Sequence, residues 1–332
     1  MSKFGEHFIK EIEIKNYKLF KDFKAEGFGR VNLIGGKNNV GKTAFMEACR
    51  INIYGTNVAN FIQALVKSKN TREMLNYFYE YTSNNNNSNF LERFVIRPLQ
   101  NIQYVNIKSN IKETIFRPLQ KNGIITYQCE IDNHKFNYNP NEDILFTKGN
   151  DNISSISTNG LSNLDIIKSY VYLQREEKES FLNKSLNIID NAITAFKIFE
   201  DIPYCKISDE YRELTEFGDG TQQFIAIIIS LFKSKKGTLF IDEIGNGIHY
   251  SVLDKFWEII LKISKEQNVQ VFATTHSKEC IESYARVAKN LEDEEVTFTQ
   301  LKRMKDNSIK AGVYDSDTLI NAIEQDHEVR GW

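Results

Sequence analysis

The octet Gly36-Lys37-Asn38-Asn39-Val40-Gly41-Lys42-Thr43 constrains this chain more than any other part of it. It follows a short apolar strand, RVNLI at 30–34, and runs into a segment of strong helix formers over 43–54 with apolar residues at Phe45, Ala48 and Cys49. A G-x-x-x-x-G-K-[ST] loop in this setting aims its backbone N–H groups and the positive end of a helix at one point, which favours phosphate. Lys42 is then placed to neutralise the β and γ oxygens, and the Thr43 hydroxyl to reach Mg²⁺. By average residue usage such a match arises by chance in a chain of this length on the order of 1% of the time. The strand before it and the helix after it make a plain surface glycine turn a poorer reading still.

A second block supplies partners for that loop. The strand TLFI at 238–241 ends in Asp242 and Glu243, which suits one carboxylate for the magnesium shell and a second to orient or deprotonate an attacking water. Without the glycine loop the same acidic pair would read as a solvated helix cap. A helix is expected over 251–264, and the strand at 269–273 ends in Thr274, Thr275, His276 and Ser277. A neutral His276 imidazole there can bond a phosphate oxygen or the attacking water, the bland alternative being a capping or core histidine. Strands alternating with helices, polar at the strand ends, describe an α/β fold with a mostly parallel sheet and a ligand along that edge.

Between 55 and 170 the composition changes. Helical stretches at 61–66 and 74–81 lead into an Asn/Ser tract at 82–89, read as a mobile loop, and then alternation at 104–107, 124–131 and 135–138 suggests an antiparallel β lobe. The tetrapeptide RPLQ occurs at 97–100 and 117–120, read as two similar strand ends rather than a true repeat. A strand YVYLQ at 170–174, a helix over 176–196 and an apolar helix opened by Gly218 to Gly220 make a second lobe, 171–237. The tail, 296–332, reads as a strand pair turning near Asp306-Asn307, then a short helix and EVRGW. One domain spanning 1–332, with these segments as its lobes, is the expected organisation.

Composition narrows the setting. The longest apolar run, 224–231, is far below the roughly 20 residues of a membrane span, and no signal segment follows Lys3. The four cysteines show no CxxC and no histidine at zinc-finger spacing, which fits a reducing cytoplasm. A net charge of −2 removes the global electrostatic argument for nucleic acid. Lysines 15, 18, 21 and 24, interleaved with Tyr17, Phe20 and Phe23, could track a phosphate backbone, although a solvated face explains the row better.

Taken together, IKNYKLF at 14–20, NLIGGKNNVGKT at 32–43, FGDGTQQ at 217–223, LFIDEIGNGIH at 239–249 and ATTHS at 273–277 resemble the ATP-binding cassette ATPase heads of the OLD-like, RecF-like and structural-maintenance-of-chromosomes-like branch. The resemblance covers nearly the whole chain. It implies a P-loop NTPase fold with an antiparallel β lobe and a helical signature lobe, ATP and Mg²⁺ as cofactors, and a homodimer or higher oligomer. In such a dimer each ATP lies between one subunit's phosphate loop and the other's signature loop. Glu243 would be the general base and His276 the switch histidine. Thr43, Asp242 and, as a candidate, Gln174 would serve the metal; a plain surface glutamine is an equal reading of Gln174. Gly218, Asp219, Gly220 and Thr221 would form the signature loop, with Gly218 where a serine usually touches the partner's γ-phosphate, so that backbone N–H groups of 219–221 replace the hydroxyl. Gly247, Ile248 and His249 fall at the dimer-facing D-loop, histidine replacing the usual aspartate. Lys18 lies where relatives often carry a phosphate-contacting arginine.

The chain shows no long heptad arms and no room after His276 for the nuclease module of OLD proteins. Similar stand-alone heads often accompany a separately encoded Toprim-type nuclease in antiphage defence, so the resemblance implies an ATPase regulating an effector in trans. A RecF-like repair ATPase that clamps DNA is the alternative, and an ATP-bound scaffold that scarcely hydrolyses is a third; a transporter subunit fits the signature loop least.

Overall fold

The computed structural model describes residues 5–55, 104–121, 124–138 and 152–324. The expected helices at 61–66 and 74–81, the Asn/Ser tract, the first RPLQ and the EVRGW ending lie outside them.

The hairpin β1 (Glu11–Tyr17) and β2 (Phe20–Glu26) leads to β3 (Val31–Gly36), whose six residues are all buried, and then to α1 (Lys42–Tyr54). β4 (Val105–Ser109), β5 (Glu113–Lys121), β6 (Ile124–Ile131) and β7 (His134–Tyr138) add to β1 to give an antiparallel sheet ordered β2-β1-β4-β5-β6-β7. β8 (Ile153–Ile156) leads to α2 (Asn163–Arg175), α3 (Glu179–Ile189) and a small sheet of β9 (Ile193–Phe199), β10 (Ile202–Ile207) and β11 (Glu210–Glu213). α4 (Asp219–Lys233), β12 (Thr238–Ile241), α5 (Leu253–Glu266), β13 (Gln270–Thr274), α6 (Lys278–Asn290), β14 (Val296–Arg303), β15 (Ile309–Asp315) and α7 (Ser316–Glu324) complete the order.

The main sheet runs β15-β14-β3-β13-β12-β8, parallel throughout except for the edge strand β15. A strand buried on both faces reads as a mainly apolar run, and β3, β12 and β13 do, with the buried polar residues Asn32, Gln270 and Thr274 each hydrogen-bonded. One face packs on α4, α5 and α6, where Trp257 donates to the Cys280 carbonyl (3.1 Å) and the Tyr284 hydroxyl to the Val31 carbonyl (2.9 Å). The other face packs on α1 and the antiparallel lobe through Phe23, Phe28, Phe45, Phe240 and Phe272, with Phe240 and Phe272 stacked at 5.7 Å. α1 is also fixed at its far end: Asn52 donates to the carbonyls of Ile107 and Lys112, and the Lys112 ammonium caps the Ile53 and Gly55 carbonyls. The phosphate loop therefore sits on a helix held at both ends.

Three expectations need correction. The segment 170–174 is helical: the Ser162 hydroxyl caps the Asp165 N–H, and the buried residues Ile166, Ser169, Tyr170 and Leu173 recur at helical spacing. That period begins upstream of the aromatic-rich stretch that suggested a strand, and a lobe boundary at 170/171 would cut through α2. The helix expected to reach Phe196 ends at Ile189, where the turn at Asp190-Asn191 opens β9, so the 171–237 lobe contains a three-stranded sheet as well as helices. β8, inside the 55–170 segment, belongs to the main sheet, pairing Ile156 with Ile241.

Candidate nucleotide site

Gly36 ends β3 at φ +143°, and a Cβ there would fall 2.6 Å from the Leu301 carbonyl oxygen, so only glycine lets β14 run alongside as the chain enters its loop. Residues 37–39 are exposed at the loop's crest, Asn39 with φ +59°, while Val40 is buried beneath them. Gly41, at φ +106°, caps α1. Lys42, the first residue of that helix, is buried. Its ammonium donates to the carbonyls of Gly36 (3.0 Å) and Lys37 (3.2 Å) and meets His276 Nδ1 at 3.3 Å.

Three strand ends bring the remaining groups to the loop. β12 is followed by Asp242, whose N–H bonds the Ile156 carbonyl of β8, and Thr275 N–H bonds the Ile34 carbonyl of β3. The Thr43 hydroxyl lies 3.4 and 3.5 Å from the two Asp242 oxygens. Thr274, fully buried at the end of β13, donates its hydroxyl to Asp242 (2.6 Å) and accepts the Glu243 N–H (2.9 Å). Glu243 itself has φ +52°, a left-handed conformation unusual for a glutamate, which this amide bond helps hold. Glu243 Oε1 meets His276 Nε2 at 3.1 Å.

Electrostatics fix how this row is protonated. The Lys42 ammonium can only donate, so His276 Nδ1 accepts and the imidazole proton sits on Nε2, facing Glu243. Burial, and then the Lys42 charge, lower the His276 pKa below the ordinary histidine value, which keeps the ring neutral. Burial raises the Glu243 carboxyl above the usual glutamate range, with Asp242 adding to the rise and Lys42 opposing it. Burial likewise lowers the Lys42 pKa, countered by Glu243 and Asp242. A hydroxyl and a carboxylate converging beside a phosphate loop are hard oxygen donors of the kind Mg²⁺ takes, so Thr43 and Asp242 fit that ion.

Residues 31–282 match the profile of the family described as "AAA domain, putative AbiEii toxin, Type IV TA system". The chain belongs to this family. It is also 26% identical over 372 aligned positions to a Helicobacter pylori protein named ATP/GTP phosphatase, covering 97% of this chain and 100% of that protein. Its fold is that of a solved SMC head bound to the C-winged helix domain of ScpA, at TM-score 0.53 and 12% identity, covering 93% of this chain and 98% of that one. As in that fold class, the family member described here is an α/β head with an antiparallel β lobe.

Not every expected residue joins the cluster. Gln174 is exposed on the last turn of α2 and is not among the residues lining the cleft beside Thr43 and Asp242, which include Glu47, Arg50, Ser157 and Thr158. Lys18, in the β1–β2 turn, pairs with the buried Glu47 one turn beyond Thr43. Gly218 caps α4 with open space around it, and Gly220 packs directly on Gly247: a Cβ on Gly220 would lie 2.1 Å from the Gly247 carbonyl oxygen. Gly220, Thr221, Gly247, Ile248 and His249 line a separate cleft with the end of α3. Asp219 opens α4 beside them. The segments expected to be the signature and D-loops thus adjoin each other rather than the phosphate loop. The His249 ring accepts the Ser251 N–H and lies tilted against the exposed Tyr250, ring centroids 4.4 Å apart.

Two contributors escaped the sequence reading. Thr274 reads in the sequence as a polar residue ending a strand, within ATTHS at 273–277, with no role assigned; its place at that strand end is the available signal. Arg303, at the end of β14, donates to the Asn39 carbonyl at 2.8 Å, and nothing in its sequence neighbourhood points to a loop more than 260 residues away.

Among the described residues no helix is long and apolar enough to cross a membrane. All four cysteines are free and buried.

Proposed function

We propose that this chain is a magnesium-dependent nucleoside triphosphatase that transfers the γ-phosphoryl group to water and uses its nucleotide to pair two heads. The observation that carries the reading is the hydrogen-bonded row from Lys42 through His276 to Glu243, beside Thr43 and Asp242. The phosphate-loop amides and Lys42 would hold the triphosphate. Glu243 would accept the proton of the attacking water, its raised pKa making it a better base than a solvated glutamate. His276, neutral and donating from Nε2, would hold that carboxylate in place. Bound between Thr43 and Asp242, the metal would neutralise charge building on the leaving and transferred oxygens.

The H. pylori relative's name supports ATP and GTP as substrates for this chain too. Pairing of heads is supported by the separate cleft that holds Gly220, Thr221 and His249: α4 offers first-turn N–H groups that the chain's own phosphate loop does not use, and a second copy would bring them to it. The family description, which names a toxin of a type IV toxin–antitoxin system, supports a defence setting in which nucleotide-driven pairing controls a separately encoded effector, such as a Toprim-type nuclease. The test is Glu243→Gln, followed by nucleotide binding, phosphate release and mass with and without ATP and Mg²⁺. Retained binding, hydrolysis reduced by at least about 100-fold and accumulation of the paired form are expected; wild-type turnover would remove Glu243 from the base role.

A further inference from the structure

Three of the four lysines of the β1–β2 row are electrically quiet. Lys15 is paired with Asp22 in the register, Lys24 forms a 2.9 Å ion pair with Glu26 and lies opposite Glu13, and Lys18 is taken by Glu47. The tip of the β14–β15 hairpin is different. Residues 302–310, KRMKDNSIK, carry four cations and one carboxylate, and Lys302, Arg303, Lys305 and Lys310 are all exposed. Asp306 is held inside its own turn by the Ser308 N–H and hydroxyl. Lys302 and Lys310 are direct cross-strand partners on one face, a like-charge pair that destabilises a hairpin unless an anion answers it. Among the described residues neither Lys302 nor Lys305 makes an ion pair. Lys37 is exposed immediately beyond the Gly36–Leu301 pairing, whereas the groove between this tip and β2 is lined by Lys21 together with Asp22 and Asp306 and adds no net positive charge.

We infer that this tip binds the phosphate backbone of a nucleic acid, and that Arg303 makes the binding sensitive to the state of the phosphate loop. A specific protein partner would need an apolar or aromatic centre to bury, and the tip offers only Met304 among cations and small hydrogen-bonding residues, Asn307 and Ser308. Those residue types make phosphate contacts. Arg303 shares a face of β14 with Leu301 and leans the other way from Lys302, onto the Asn39 carbonyl at the loop crest. A backbone phosphate and Asn39 thus compete for one guanidinium, which gives a coupling between the two sites that must be reciprocal.

The experiment uses the full chain and a fluorescent 20-base-pair duplex of mixed sequence, with polyglutamate as the competing polyanion. About three phosphate contacts predict a log–log salt slope near −2.7, so a fourfold rise in salt weakens binding about 40-fold. The variant carrying Lys302→Gln, Lys305→Gln and Lys310→Gln should lose at least tenfold in duplex affinity while keeping its nucleotide affinity. No duplex binding by the wild type, an unchanged triple variant, or polyglutamate bound as tightly as the duplex would each overturn the assignment, the last pointing to an acidic protein instead. The coupling rests on the nucleotide reading above, whereas duplex binding measured without nucleotide does not. Duplex should shift the apparent nucleotide affinity at least threefold in the wild type and not in Arg303→Ala; equal shifts in both would break the link.

Discussion

Replacing Thr274 with valine removes a hydroxyl and keeps the volume, in a side chain with no exposed surface. That hydroxyl serves two neighbours at once, as donor to Asp242 at 2.6 Å and as acceptor for the Glu243 N–H at 2.9 Å. A hydrogen bond to a charged group is worth about 1.5–3 kcal/mol and a stranded N–H costs about 1–3 kcal/mol; the two losses share one site and do not add fully, so about 2–4 kcal/mol of stability is expected to go. For a chain of 332 residues that corresponds to a Tm lower by roughly 3–6 °C. The functional loss should be separable from the structural one. Without the bond Glu243 is free to leave its left-handed conformation, and a misplacement of about 1 Å at a reacting group costs about 100-fold in rate. Thermal unfolding and steady-state phosphate release, measured at a temperature where the variant is folded, test both. Thr274→Ser should recover most of each. A valine variant within about 1 °C and twofold of wild type would refute the idea that this threonine sets the two carboxylates.

Lys42→Ala should abolish nucleotide binding in equilibrium dialysis, since it removes the only ammonium beneath the loop crest among the described contacts. Hydrolysis should fall as pH drops, with an acid limb above the ordinary glutamate range, because Glu243 acts only when ionised and burial has raised its pKa; an acid limb at or below that range in a pH–rate profile counts against it as base. Gly218→Ser should fold with stability within about 0.5 kcal/mol of wild type, because a Cβ there meets nothing within 4 Å, and it should strengthen ATP-dependent pairing in mass measurements. Gly220→Ala should be strongly destabilising by thermal unfolding, since its methyl group would collide with the Gly247 carbonyl.

The residues that hold the site were legible where local chemistry dictates structure. A glycine loop between a strand and a helix has few foldings, and Asp242, Glu243 and His276 announce themselves by ending apolar strands. Periodicity also gave five of the six main-sheet strands and, in the antiparallel lobe, β4, β6 and β7. It failed at 170–174, where aromatic and β-branched residues mimic a strand while the buried set Ile166, Tyr170 and Leu173 follows a helix. It failed again at β8, whose sequence ISSI carries two serines and becomes a strand only because β12 is there to pair with it. Long-range pairings of that kind, like the contact from Arg303 to Asn39, depend on which segments meet and leave no mark in any local window.

β3 lies between β13 and β14, and the Asn32 side chain is bonded on one side to the Val271 carbonyl and on the other to the Thr297 hydroxyl, 239 and 265 residues along the chain. During synthesis, which runs from the N-terminus, both walls of that slot arrive long after the strand itself. Until then β3 is an apolar ribbon with two open edges, and the loop it carries has no Leu301 to lean on. Nascent chains stalled before 296 should therefore fail to capture nucleotide, and the many non-local pairings imply slow maturation. Competence for chemistry would then arrive late and all at once.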